Sequence, residues 1–118
     1  MIERMLPWDG LGHELVAHDG VLYVGGIVPE DTSRDMSGQA EDVLRQLKTL
    51  LEKGGSGMDR VLQVTIYATN LAEKPDFNRV WKSYFAESAT PARAMIGVAE
   101  LGPGVKLEIT ATAAIGTK

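Results

Sequence analysis

The chain has 118 residues, no cysteine, two histidines and a formal net charge of −4 at pH 7. That length predicts one domain, residues 1–118, with a core of its own, and the absence of cysteine excludes disulfides, thiolate metal sites and a cysteine nucleophile. The acidic balance argues against a nucleic-acid partner: holding phosphates needs clustered cations, and Arg45, Lys48, Lys53 and Arg60 are scattered among acids.

The opening MIERMLPWDG lacks the pattern of a signal peptide, and no apolar run is long enough to span a bilayer. The expected location is therefore the cytoplasm, with no membrane partner. A first strand is expected over Ile2–Leu6. In ELVAHDGVLYVGGIV, Asp19-Gly20 separates two apolar stretches. Both residues accept positive φ, so Glu14–His18 and Val21–Gly25 read as a hairpin. A polar loop, IVPEDTSRD, follows. From Asp35 to Lys53 the apolar Ala40, Val43, Leu44, Leu47, Leu50 and Leu51 recur at helical spacing. Asp35 or Ser37 is the candidate cap and Gly54-Gly55 the stop, with Glu41, Asp42, Arg45 and Lys48 on the outer face.

RVLQVTIYATN alternates as a strand, with Leu62, Val64, Ile66 and Ala68 on one side and Val61, Gln63, Thr65, Tyr67 and Thr69 on the other. Phe77, Val80, Trp81, Tyr84 and Phe85 mark a second amphipathic helix, opened near Pro75 and Asp76. Two strands joined by a Gly-Pro-Gly turn complete the chain. The order β-β-β-α-β-α-β-β implies an α+β fold of two layers, both helices covering one face of the sheet. The other face would carry Thr65, Tyr67, Lys106, Thr110 and Thr112, a mixture that points to contact with another subunit.

Two charges in the closing segment, TPARAMIGVAELGPGVKLEITATAAI, stand out. Pro91 places Arg93 at the head of one strand. In the next strand Val105, Leu107, Ile109, Ala111 and Ala113 face the helices, which puts Glu108 on the opposite side. On residue type alone, Arg93 is equally a rim charge whose stem covers apolar surface, and Glu108 a solvated carboxylate or a partner of Lys106 or Arg93. No metal-ligand spacing stands out around His13 or His18, so no metal or other cofactor is expected.

The same segment resembles the C-terminal signature of the reactive intermediate deaminase (Rid, YjgF-like) family, some of whose members carry a ribonuclease label. HDGVLYVGGIVPED, QAEDVLRQLKTLLEKGG and DRVLQVTIYATNLAEKPDFNRVWKSYF are similar to the family's hairpin, first helix, and strand with second helix, so the likeness runs along nearly the whole chain. The resemblance implies a chorismate-mutase-like (ferredoxin-like) α+β subunit assembled as a homotrimer with clefts at the subunit interfaces. It implies that Arg93 binds the carboxylate of a small 2-imino or 2-aminoacrylate-type acid. Glu108 would activate the water that hydrolyses the C=N bond, releasing ammonia and a 2-oxo acid. By the same resemblance Met95, Gly26, Ile27 and Trp81 border the substrate.

The chain departs from the family pattern in the pocket wall. Gly25-Gly26-Ile27 stands where many deaminating members have Ser-Gly-Gln, a usual upstream tyrosine falls near Gly12, and a helix asparagine is matched by Trp81. His13 is the candidate replacement for the tyrosine; a surface role for it, and for His18, stays open, as does a core role for Trp81. These changes admit a different substrate, such as an aminomuconate-like acid, or a trimeric module that binds small carboxylates without turnover. RNA cleavage is a poor fit to an acidic chain lacking a histidine pair.

Overall fold

A computed structural model describes residues 1–116. The chain runs β1 (Glu3–Trp8), β2 (Gly12–His18), β3 (Val21–Ile27), α1 (Met36–Lys53), β4 (Val61–Ala68), α2 (Lys74–Tyr84), β5 (Ala92–Gly97) and β6 (Leu107–Ala114). The strands form one sheet in the order β1-β2-β3-β6-β4-β5. Neighbours are antiparallel except β4 and β5, which are parallel and are linked through α2. This is the expected α+β architecture, a mixed sheet with two α-helices among the described residues.

The Asp19-Gly20 turn has φ of 51° and 79°, the left-handed pair that matches the twist of a hairpin. Asp9-Gly10, with φ of 54° and 67°, repeats the device between β1 and β2. The sequence reading did not single it out. As a result β1 extends to Trp8 instead of ending at Leu6, and β2 starts at Gly12 instead of Glu14.

Two register shifts decide which side chains face which way. β3 continues past Gly25 to Ile27 through an irregularity between Val24 and Ile27, which brings Ile27 opposite Ile109 in the core. In β4 a shift between Val61 and Gln63 inverts the alternation expected at its start: Val61 is buried and Leu62 is 49% exposed. Past the bulge Val64, Ile66 and Ala68 are fully buried, as their spacing predicts.

The final two strands do not pair with each other, because β4 lies between them. Their connection crosses the end of the sheet through Gly102 and Gly104, both at positive φ. Gln39 of α1 holds it in place. This fully buried amide donates from Nε2 to the carbonyls of Gly104 (2.9 Å), Arg34 (3.0 Å) and Thr32 (3.3 Å), and its Oε1 accepts from the Lys106 N–H (2.8 Å).

Asp35 caps α1, its carboxylate accepting from the Gly38 N–H at 2.9 Å. Ala40, Val43, Leu44, Leu47 and Leu51 are completely buried, and each of the larger ones contributes roughly 1.5–3 kcal/mol of transfer free energy. Phe77, Val80 and Trp81 bury the inner face of α2. Across the helix pair, Tyr84 donates to Glu41 at 2.6 Å; burial, this bond and the Glu41 charge push the Tyr84 hydroxyl up to about 12. No described helix is long and apolar enough to cross a membrane.

Asp42 departs from the helix wheel. It is 3% exposed instead of lying on the outer face, because the β3–α1 loop folds over it. Its carboxylate accepts from the N–H groups of Glu30 (2.9 Å) and Asp31 (3.1 Å) and from Gln46 (2.8 Å). Burial alone would raise its pKa, but these bonds and Arg45 outweigh it and hold the group below the usual carboxylate value. The ionised form therefore stabilises the fold above the unfolded-state value near ~4, and that contribution is lost as pH falls through the lower folded-state value. Asp42→Asn should cost about 1 kcal/mol at pH 7, and urea titrations should show its gap to wild type closing below about pH 4.

Candidate functional site

Arg93 stands on β5 beside Val64 of β4, so both point to the helix side of the sheet. There the guanidinium lies under α2, its central carbon 4.8 Å from the Trp81 ring centroid and 5.6 Å from that of Phe77. Nη2 donates to Asn78 Oδ1 at 2.8 Å. Among the described residues no carboxylate pairs with it. Burial pulls its pKa below the ordinary arginine value, yet a guanidinium stays charged at neutral pH. It opens into a cavity of about 550 Å³ shared with Asn78, Trp81, Lys82, Phe85, Glu87 and Thr90.

Trp81 has two roles that the sequence left as alternatives. It is 5% exposed and packs between Phe77 and Phe85, with ring centroids 5.8 Å and 4.3 Å away, and its face also forms the wall beneath Arg93. Met95 follows Arg93 on the same face of β5, opposite Ile66, and packs against the core.

Glu108 sits on β6 across from Tyr67, whose other neighbour is Ile96 of β5. This row lies on the face away from the helices, with Ile96 45% exposed and Tyr67 and Glu108 half-buried. Gly26, in the β3 irregularity, packs directly on the carboxylate: a Cβ there would overlap Glu108 Oε2. Lys106 turns to Glu73 at 3.7 Å, so neither it nor Arg93 pairs with Glu108. Ile27 has its side chain in the core and borders a second cavity of about 430 Å³, where His13, Gly12, Gly25 and Trp8 meet α1. His18 is elsewhere, pairing with Asp19 at 3.2 Å.

Arg93 and Glu108 thus occupy opposite faces of one sheet. A single protomer therefore carries a cationic group under α2 and, separately, an acidic group on the open face beside Gly26. Asn78 is the residue the sequence reading missed. It was legible as the position one helical turn before Trp81, hence on the same face of α2.

Residues 3–115 match the family described as Endoribonuclease L-PSP. A RutC family protein of Haemophilus ducreyi is 35% identical over 102 residues, covering 86% of this chain and 87% of that protein. The RutC family protein YoaB of Escherichia coli is 33% identical over 105 residues, covering 86% and 89%. In three dimensions, a YjgF-family protein from Neisseria meningitidis superposes with a TM-score of 0.91 at 28% identity, over 100% of this chain and 98% of that one.

The contact at Gly26 yields a direct test. Gly26→Ala should force the flexible Glu108 carboxylate aside at a cost below about 1 kcal/mol. Adding Glu108→Ala, which removes the obstacle, should recover most of that loss in a double-mutant cycle read by thermal melts.

Proposed function

The chain belongs to the Endoribonuclease L-PSP family, the group also called Rid or YjgF-like, and on that premise we propose that it is an enamine/imine deaminase. It takes small 2-imino acids, or their 2-aminoacrylate-type tautomers, to 2-oxo acids and ammonia. The observation that carries this reading is Arg93: a charged group partly removed from water, lying over aromatic rings, with no carboxylate paired to it among the described residues, facing a cavity. An organic carboxylate supplies the missing partner, and the planar guanidinium matches it with paired N–H donors.

The opposed half-sites support a shared site. They meet only if Arg93 of one protomer approaches Glu108 of another, as the homotrimer with interfacial clefts implied by the family resemblance would allow. In that cleft Glu108 accepts a proton from water as the oxygen bonds to the imine carbon. The carbinolamine then collapses, its C–N bond breaks, the proton passes to nitrogen, and ammonia leaves the 2-oxo acid. A protonated imine is already electrophilic, so orientation, one water and one base are sufficient chemistry. No cofactor enters this scheme.

RNA fits the reading poorly, since a net charge of −4 repels a polyanion. The substitutions at Gly25 and Ile27 favour a second reading, a carboxylate-binding module without turnover, because they replace a hydroxyl and an amide of the family pattern with groups that have no polar side chain. Ammonia release from 2-aminoacrylate generated in the assay separates the two. Wild-type protein should accelerate it, and Arg93→Lys, which keeps charge but loses the fork, should be slower by at least about tenfold with an unchanged Tm. Glu108→Gln should still bind a 2-oxo acid while turnover falls about 10²–10⁴-fold. No acceleration by wild type, with pyruvate still raising its Tm, would establish the module instead.

A further inference from the structure

We infer that Asn78 is a positioning residue that sets the direction of the Arg93 fork without neutralising it. The inference rests on Arg93 being the carboxylate anchor. Contact with the Trp81 ring, 4.8 Å from the guanidinium carbon to the centroid, seats the group over the aromatic face but leaves the direction of its N–H donors free. The 2.8 Å bond from Nη2 to Asn78 Oδ1 removes that freedom. A guanidinium has donors only, so the amide must present its oxygen to it, and the contact fixes both groups at once.

The support behind Asn78 is rigid. It sits in the first turns of α2, next to Phe77, which is completely buried, and one turn before Trp81. One helix therefore supplies both the surface under the guanidinium and the acceptor at its edge. Further N–H donors of Arg93 remain for the cavity that Asn78 and Arg93 both line.

The chemistry of the acceptor matters as much as its place. An amide oxygen orients a cation through a neutral hydrogen bond and leaves its charge for the ligand. A carboxylate in the same position would take the fork bidentately and compete with the substrate. Asparagine is thus the choice for a site that must be aimed and still be open to an anion. Pre-orientation of this kind acts on binding, since an unanchored fork loses freedom each time a carboxylate docks.

The test is calorimetric titration of the full chain with pyruvate, for wild type, Asn78→Ala, Asn78→Asp and Arg93→Ala, with a Tm for each. Asn78→Ala should bind about threefold more weakly and the nearly isosteric Asn78→Asp at least about tenfold more weakly, both folded with Tm within a few degrees of wild type. In turnover, the same variants should raise KM and leave kcat nearly unchanged, a split that general loosening of α2 would not produce. If both Asn78 variants bind pyruvate like wild type while Arg93→Ala does not, Asn78 has no part in aiming the fork. If Arg93→Ala also binds like wild type, the premise that Arg93 is the anchor has failed, and the inference falls with it.

Discussion

A guanidinium partly withdrawn from water, with no carboxylate paired to it among the described residues, is an arrangement that folding alone has little reason to keep. Burial disfavours the charged form, as the lowered pKa of Arg93 records. The ring faces of Trp81 and Phe77 and the Asn78 oxygen return part of that cost through cation–π attraction and one hydrogen bond. A carboxylate in place of Asn78 would return more. The remainder is uncompensated among the described residues, and under the proposed function a substrate carboxylate would offset it. The rest of the molecule can be understood as the frame that holds this imbalance in place: α2 must carry three aromatic or amide side chains at helical spacing, and β5 must deliver the arginine beneath them.

The placement of β5 follows from the crossover. Because β4 and β5 are parallel and linked through α2, the helix passes over the edge of the sheet where Arg93 emerges. The return connection to β6 then has to clear β4. Gln39 makes this possible by binding Gly104, Lys106 and the Thr32–Arg34 loop from one buried amide. Asp42 performs the same service for residues 30 and 31 one helical turn later. Both are polar groups spent on backbone that no strand partner satisfies, in agreement with the rule that buried peptide groups find partners.

Much of this was legible in the sequence, and the failures have physical causes. Both α-helices and all six strands of the described residues were located, chiefly from period and turn chemistry, since Asp19-Gly20, the α1 stripe and the β6 alternation are local signals; the short 3-10 turns at Met58–Arg60, Leu71–Glu73 and Glu87–Ala89 were not. Strand pairing was not legible: the Gly-Pro-Gly turn joins two strands that belong on either side of β4, and no local pattern encodes a neighbour in space. Bulges were equally hidden, and one of them inverted Val61 and Leu62. Gln39 and Asp42 read as outer-face polar positions or passed unremarked, because their value lies in loops distant from the helix wheel. At the candidate site, alternation placed Glu108 on the open face, but only the family resemblance of the last strands singled out Arg93 and Glu108 as functional candidates. It did not by itself reveal Asn78, whose only signal was its place one helical turn before Trp81 on the same face of α2.

The separation of Arg93 from Glu108 has a consequence for chemistry as well as for assembly. Were both on one face of β4–β6 within bonding distance, they would form an ion pair in the protomer, each satisfying the other and neither free for a ligand or a water. Adjacent strand rows are close enough for such pairing, and the register places the two residues three rows apart along β4, at Val64 and Tyr67. An odd number of rows puts them on opposite faces, and the sheet itself insulates one from the other. Two groups of opposite sign can then both stay unpaired in a folded chain. In the proposed trimer they come together only across an interface, where a substrate carboxylate takes the cation before the acid can. In that proposal the parity of the β-register, and not a motif alone, is what would keep both groups available for substrate and water.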